Sequence, residues 1–437
     1  MENSNLNLSY TIKTFGCQMN VYDSDRMEKL LAQEGCHRAE MIENAELIIL
    51  NTCTVREKAR HKVLSQLGKF RPLKKKNRDL IIAVAGCVAQ QEGRKLLQLS
   101  PVVDIVMGPD QVDQLPGLIR CAKEGERVVQ TRFSDEEQLS LKTLLPTKSV
   151  ASAFVTVGTG CNKKCSFCVV PSVRGVEKCR HPEEIINECK SYLEVGAKEI
   201  ILIGQTVNAY EFGSTNFPEL LKRVHDLKGL ERLRFITSHP VDMTDEIINC
   251  FGELEHLCEN LHLPIQSGSN SVLKRMIRRH KREDFLEIVS KLRKRVPNMS
   301  ITTDIIVGFP GETEEEFEDT MSLLQEVKFD GSFSFIYSPR PGAPSTRMKD
   351  QLGEDVKKER HSRHKARQDE ILFQNNKGYE GREVEVLVEG PSKADPRVMT
   401  GRTRTNKLVH FPAAESTIGE LVQVKILKGM RNYLRGY

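Results

Sequence analysis

Two trains of short apolar runs, each run followed by an amphipathic stretch, constrain this chain more than any other feature. In the first train the runs are 10–15, 47–51, 80–85 and 102–107, with amphipathic segments such as 24–33 and 55–70 between them. Runs of that length suit strands and the intervening periodicity suits helices. Their alternation predicts a doubly wound parallel α/β domain over 8–125. Residues 131–152 are polar and aperiodic and read as a linker. The second train has strands expected at 153–157, 199–203, 233–237, 261–264, 301–307 and 332–337. Helices are expected at 182–194, 217–227, 245–257, 271–277 with 283–295, and 314–327. Six βα units over 153–375 predict an open, partial (βα)6 barrel whose working loops follow the carboxyl ends of the strands.

Both trains place cysteines at strand ends. Cys17, Cys53 and Cys87 each close a strand in the first train, two of them after glycine. Parallel strands bring such loops to one edge of the sheet, so three cysteines distant in sequence can converge there. One such cysteine alone would read as a buried core residue. Cys36 and Cys121 lack this context and read as structural. In the second train the first strand runs into Gly160–Cys168, where Cys161, Cys165 and Cys168 form C-x3-C-x2-C. Three thiolates on one loop hold three irons of a cubane cluster, and the motif offers no fourth ligand, which leaves one iron open. A tetrahedral zinc site completed by Cys179 or a distant histidine is the alternative.

Other strand ends of the second train carry Gly204-Gln205, Ser238-His239-Pro240, Gln266-Ser267-Gly268-Ser269 and Gly308 to Glu312. Glycine lets backbone approach a ligand, and Gln, Ser and Glu supply hydrogen bonds. Together they predict a nucleoside-sized pocket at the barrel mouth. Thr313 reads as a helix N-cap, and His239 as either a structural histidine or a ligand.

Residues 354–375 form a run rich in Lys, Arg and His and read as a solvated helix. From 376 to 437 the pattern turns to period two, with strands expected at 383–388, 398–403, 407–411 and 421–426, a small antiparallel β-barrel. Residues 378–437 carry ten Lys and Arg against seven Asp and Glu. Arg402, Arg404, Lys407, Lys428, Arg431 and Arg435 fall in or beside turns, with Tyr433 and Tyr437 near the end. Basic residues interleaved with aromatics suit RNA, although an ordinary soluble module shares that composition. The overall charge of +5 permits a nucleic-acid partner without demanding one. Residues 1–10 lack the apolar core of a signal peptide, and no apolar run reaches transmembrane length. A soluble, cytoplasmic chain with its twelve cysteines reduced or metal-bound is expected, with no membrane partner.

The cluster loop resembles that of the radical S-adenosylmethionine (SAM) enzymes. There the open iron is chelated by SAM, and an aromatic at the Phe167 position packs near the adenine. Nearly the whole chain resembles the MiaB family, tRNA methylthiotransferases that act on isopentenylated adenosine. The matching stretches include TFGCQMNVYDSDRM from Thr14, NTCTVREKA from Asn51, GCVAQQEG from Gly86, GQTVNAY from Gly204, HLPIQSGSNSVLKRM from His262, DIIVGFPGE from Asp304 and YSPRPG from Tyr337. GRTRTNKLVHFP from Gly401 resembles a TRAM domain, an RNA-binding module. Lys164 stands where an aromatic is frequent, Ser172-Val173 replaces the usual Tyr-Thr, and Thr206 replaces a common Asn.

The resemblance implies methylthiolation of carbon 2 of N6-isopentenyladenosine at position 37, near the tRNA anticodon. It implies two [4Fe-4S] clusters, one on Cys161, Cys165 and Cys168 and an auxiliary one on Cys17, Cys53 and Cys87. The first cluster donates an electron to SAM, the resulting 5′-deoxyadenosyl radical activates an inert C–H bond, and the second presents sulfur. SAM contacts are expected from Phe167, Gly204, Gln205, Gln266, Ser267, Gly308 and Glu312. A low-potential donor of the flavodoxin or ferredoxin type and a monomeric state are expected. The basic barrel and the patches 74–76 and 278–282 are expected to grip tRNA phosphates, with both patches reading equally well as solvated loops. The rival readings are a methylthiotransferase for threonylcarbamoyl adenosine or a ribosomal-protein side chain, and a non-enzymatic zinc-bearing RNA-binding protein.

Overall fold

A computed structural model describes residues 5–54, 59–141, 143–393 and 395–437. The start of the helix expected at 55–70, Val55 to Lys58, lies outside the described residues. The chain divides into two units. The first comprises residues 1–148, 158–162 and 169–180, and the second 149–157, 163–168 and 181–437.

The first unit begins with β1 (Ser9–Thr14), α1 (Gln18–Gln33), β2 (His37–Arg38), β3 (Leu47–Thr52), α2 (Ala59–Lys76) and β4 (Ile81–Gly86). It continues with α3 (Cys87–Glu92), α4 (Lys95–Leu99), β5 (Ile105–Met107), α5 (Leu115–Lys123) and β6 (Val128–Gln130). The six strands form one parallel sheet in the order β2-β1-β3-β4-β5-β6. β3 and β4 are buried along their whole length, as apolar strands between two helical layers must be. Side chains alternate between two cores. Leu47, Ile49, Ala83 and Met107 join one, and Ile48, Leu50, Val84 and Val106 the other. The expected linker is docked on this unit. Leu144 enters the core, Ser134 N donates to Asp110 and Lys178 Nζ donates to Ser134 O. Polar composition hid this, because the anchors are backbone groups and one leucine.

The chain then forms β7 (Ser152–Thr156) in the second unit. It contributes β8 (Gly158–Thr159), α6 (Val170–Arg174) and β9 (Lys178–Cys179) to the first unit, where β8 and β9 pair antiparallel. The second unit resumes with α7 (Pro182–Glu194), β10 (Glu199–Ile203), β11 (Glu211–Phe212), β12 (Thr215–Asn216), α8 (Phe217–His225), β13 (Arg232–Phe235) and α9 (Asp245–Glu253). Next come β14 (Asn260–His262), α10 (Asn270–Arg275), α11 (Arg282–Arg295), β15 (Ser300–Val307), α12 (Glu314–Val327) and β16 (Gly331–Ile336). The major strands make two parallel sheets, β13-β10-β7 and β14-β15-β16, the open barrel expected of six βα units. Thr313 caps α12, its Oγ1 accepting from Glu316 N at 3.2 Å while Glu316 accepts from Thr313 N.

α13 (Glu354–Lys377) corrects the solvated-helix expectation. Lys357, Arg360, His364, Gln368 and Ile371 are buried along one face, against β16 and α12. The stripe is polar, so hydropathy did not reveal it. β17 (Glu383–Pro391), β18 (Met399–Thr403), β19 (Leu408–Phe411), β20 (Leu421–Gly429) and β21 (Leu434–Gly436) close a five-stranded barrel over Val386, Val388, Val409, Phe411, Val424 and Ile426.

This small barrel and the open barrel belong to the same unit. Arg234, from β13, donates to Thr403 O and Arg404 O, both at 2.7 Å, and pairs with Glu199 at 2.6 Å. Arg232 donates to Arg402 O and pairs with Glu385. Arg404 forks onto Glu259 at 2.9 Å, and Lys407 pairs with Asp330 at 2.8 Å. Arg404 and Lys407, expected to meet phosphate, are therefore spent inside the protein. Arg402 pairs with Glu389. Among the described residues no helix is long and apolar enough to cross a membrane.

Candidate active site

In the first unit β1, β3 and β4 are adjacent, so Cys17, Cys53 and Cys87 stand side by side at the carboxyl edge of the sheet. The glycines before two of them are required by packing. A Cβ on Gly16 would lie 2.7 Å from Cys53 Cβ, and one on Gly86 would strike Thr52 O. Two asparagines tie the loops together. Asn20 Nδ2 donates to Asn51 Oδ1 and to Thr52 O at 3.2 Å, and Asn51 Nδ2 donates to Asn20 O at 2.8 Å. Both lie in the quoted motifs, yet their role needs the fold to be visible.

Cys17 sits at the N-cap of α1 and Cys87 opens α3, so both thiols meet the positive ends of helices. A hydrogen bond with Cys53, aided by the Arg174 guanidinium, brings the Cys17 thiol down to about 6. Burial pushes Cys87 up, against the pull of Arg174, which hydrogen-bonds it. Arg174 is buried and clamped by Asp23, at 2.6 Å from Nη2 and 3.4 Å from Nη1. Among the described residues no three Cys, His, Asp or Glu groups form a site for a single metal ion. A cubane places its three ligated irons apart, so it takes thiolates spread more widely than one ion does. Three neighbouring thiols beside a buried cation fit such an anionic cluster.

Cys161 N donates to Gly175 O at 3.2 Å. In the second unit Cys168 N donates to Cys165 O at 3.1 Å. Ser166 pins this loop to the end of α10, its N donating to Met276 O at 3.0 Å and its Oγ to Arg275 O at 2.9 Å. Arg278 Nη1 reaches Cys165 Sγ at 3.6 Å, and its Nη2 donates to Pro264 O. Arg278 thus leaves the phosphate patch expected at 278–282. Arg282 leaves it too, bonding Asp319 O, Ser322 and Glu326. In the other patch Lys74 binds Asp104 and Leu80 O, while Lys75 and Lys76 are exposed.

The other expected contacts gather at the strand ends of this barrel. Phe167 packs with Phe309 and Tyr337. Gln205 Oε1, Ser238 Oγ and Tyr337 Oη are buried and bond nothing among the described residues. Thr237 and Gln266 hold left-handed backbone, with φ of 75° and 78°. Unpaired polar atoms and strained residues at strand ends fit a hydrogen-bonding ligand. Gly204 is buried at the end of β10. Ser267 braces its own turn through Thr320 and Ser269 N. Gly308 and Glu312 have packing duties: Lys357 fills the space a Cβ on Gly308 would need, and Glu312 accepts from Gly308 N and Arg360. His239 caps a turn through Val241 N and exchanges bonds with Asn208.

The sequence reading missed one face of β14, β15 and β16. His262 aligns with Thr302, Asp304 with Phe333 and Ile306 with Phe335. The alternate residues Ile301, Thr303, Ile305 and Val307 are buried, whereas Phe333 is 59% exposed. His262 bonds Thr302 at 3.0 Å, and its Nε2 lies 3.5 Å from Asp304. Exposed phenylalanines on a barrel strand are the signal that periodicity alone contained.

Residues 155–324 match the radical SAM superfamily, residues 9–108 the uncharacterized protein family UPF0004, and residues 377–437 the TRAM domain. Among solved structures, the radical SAM methyltransferase TsrM from Kitasatospora setae superposes with a TM-score of 0.57 at 14% identity, covering 74% of each chain. The cobalamin-dependent radical SAM enzyme OxsB gives 0.56 at 12% identity, over 84% of this chain and 56% of that one. Fold and cysteine loop together define a radical SAM enzyme carrying an accessory α/β domain and a TRAM barrel. The tRNA-2-methylthio-N(6)-dimethylallyladenosine synthase of Clostridium botulinum is 46% identical over 98% of this chain and 96% of its own. That of Clostridium perfringens is 45% identical over 98% and 97%. The chain belongs to this family of radical SAM tRNA methylthiotransferases.

Proposed function

We propose that this enzyme methylthiolates carbon 2 of N6-isopentenyladenosine at position 37 of tRNA, with one cluster on Cys161, Cys165 and Cys168 and a second on Cys17, Cys53 and Cys87. The observation that carries the reading is the pair of three-cysteine sets, one at the ends of the adjacent parallel strands β1, β3 and β4 and the other on the single loop that follows β7 and β8. When bound, the clusters and SAM supply the one-electron and sulfur chemistry that no side chain offers at an aromatic C–H bond. The chain's own residues hold and orient. Ser166 fixes the central loop, Phe167 and Tyr337 border the nucleoside, and Gln205, Ser238 and the Gln266 turn offer it hydrogen bonds. Phe333 and Phe335 give the adenine and its apolar N6 substituent a wall that excludes water. Asp23 and Arg174 shape the second thiol set.

Exposed Lys425, Lys428 and Arg435, with Tyr437 and the edge-on pair His410–Tyr433, form the tRNA-facing surface of the small barrel. A low-potential flavodoxin- or ferredoxin-type protein supplies electrons in the cytoplasm. The test is mass spectrometry of tRNA nucleosides from cells lacking this protein. Isopentenyladenosine should accumulate and its methylthio derivative vanish, with recovery on complementation. Unchanged nucleosides refute the reading.

A further inference from the structure

We propose that Arg278 is a positioning residue whose counter-ion is the Cys165 thiolate, and that it sets the reduction potential of the cluster on Cys161, Cys165 and Cys168. The inference rests on the radical SAM reading of that loop.

Arg278 is 6% exposed. Arg26, Arg174, Arg232, Arg234 and Arg360 are also buried, and each pairs with a carboxylate. Arg278 does not. Its partners are Pro264 O and Cys165 Sγ, and its Nε bonds nothing among the described residues. An uncompensated buried charge is strongly unfavourable, so a guanidinium kept this way needs an anion at the site. A cluster-bound thiolate is that anion, whereas a neutral thiol is not.

The backbone supports the same assignment. Ile277 holds φ of 58°, a conformation that β-branched residues strongly avoid. The turn is closed by Ile277 N to Lys274 O at 3.0 Å and Arg278 N to Leu273 O at 2.9 Å. Its effect is to invert the usual polarity. Ile277 is 44% exposed and Arg279 faces solvent, while the charged side chain between them points inward. The same segment anchors the cluster loop through Ser166, so the strain positions a cation against one ligand. A nearby cation favours the more negative, reduced cluster and therefore raises its potential.

The experiment uses the full chain with Cys17, Cys53 and Cys87 replaced by Ala, so that one cluster reports, and adds Arg278→Lys, Arg278→Gln, Arg278→Met or Arg279→Gln. EPR-monitored redox titration should show the reduction equilibrium constant falling about tenfold in Arg278→Gln and Arg278→Met, about 59 mV for a one-electron couple. Arg278→Lys and Arg279→Gln should stay within about twofold. The metal-free chain provides a readout of opposite sign. There Arg278→Met removes an unpaired charge and should melt at or above the parent temperature. An iron-loaded Arg278→Gln with the parental potential overturns the proposal. So does a metal-free Arg278→Met that melts several degrees lower, as removal of a merely structural arginine would cause; this melt decides the matter if the variants load no iron. A parent chain that binds no iron would instead overturn the radical SAM reading.

Discussion

Replacing Arg234 with Met tests whether the small β-barrel is a structural part of the catalytic unit. Arg234 is 3% exposed and its partner Glu199 is 2% exposed. Burial lowers the basicity of the guanidinium, but Cys258 and Glu199 outweigh it, so the charge is held in place. Methionine keeps most of the length and removes five donors. Among the described residues the Glu199 side chain then retains only the Ser152 hydroxyl, at 2.7 Å, Arg404 O loses the Arg234 donor, and Thr403 O is left with Asn406 N at 2.9 Å. Breaking one side of a buried ion pair costs about 3–5 kcal/mol. At roughly 2–4 °C of Tm per kcal/mol, the melt of this unit should fall by roughly 6–20 °C. Anaerobic calorimetry of the full chain should show the transition of the open barrel moving together with that of the small barrel. Adding Glu199→Gln should recover much of the loss, because the stranded charge is gone. A shift below about 2 °C, or a small-barrel transition that moves alone, refutes the reasoning.

Three further outcomes are expected. Two [4Fe-4S] clusters correspond to about eight irons per anaerobically reconstituted chain, and replacing either three-cysteine set with Ala should leave about half by iron and sulfide analysis. Lys425→Glu with Arg435→Glu should weaken tRNA binding and flatten its salt dependence by about two phosphate contacts in filter-binding titrations at several salt concentrations, while Arg404→Ala should act on stability instead. Burial holds His364 down to about 4 from 6.5, with His361 adding to the effect. Between those values the unfolded chain binds the extra proton, so stability should fall by about 1.4 kcal/mol per unit as pH drops from 6.5 towards 4; denaturant titrations of His364→Gln should lack this increment.

Much of this was legible in the sequence because the fold repeats one rule. Strand ends of a parallel sheet share an edge, so Cys17, Cys53 and Cys87 could be brought together from spacing alone, and the predicted strands lie within a few residues of those observed. The failures share a cause as well. Arg278, Arg404 and Lys407 read as surface cations because a basic residue in a turn usually faces solvent, and only tertiary structure shows that Arg278 and Lys407 are buried and that Arg404 is tied to Glu259. The polar stripe of α13 was invisible to hydropathy for the same reason: its buried residues are Lys357, Arg360, His364 and Gln368. Asn20, Asn51 and Asp23 work through partners dozens of residues away. Phe333 was within reach, since the alternation of β16 is written in its sequence, Gly-Ser-Phe-Ser-Phe-Ile.

The contacts of Arg232 and Arg234 with the end of β18 and the turn that follows go largely to main-chain carbonyls, those of Arg402, Thr403 and Arg404. Every residue type carries a carbonyl, so these three bonds do not depend on which side chains the turn presents, and only the ion pairs of Arg404 with Glu259 and Lys407 with Asp330 do. What cannot drift is the path of the chain. Arg402 Nη1 bonds Asn406 O, Thr403 N bonds Lys407 O, and Asn406 takes φ of 62°, which asparagine and glycine accept far more readily than other residues. Selection on these carbonyl contacts therefore falls on Asn406, which among the described residues bonds neither Arg232 nor Arg234. Substitutions there by valine or isoleucine should unseat the small barrel more surely than most changes at Thr403 itself.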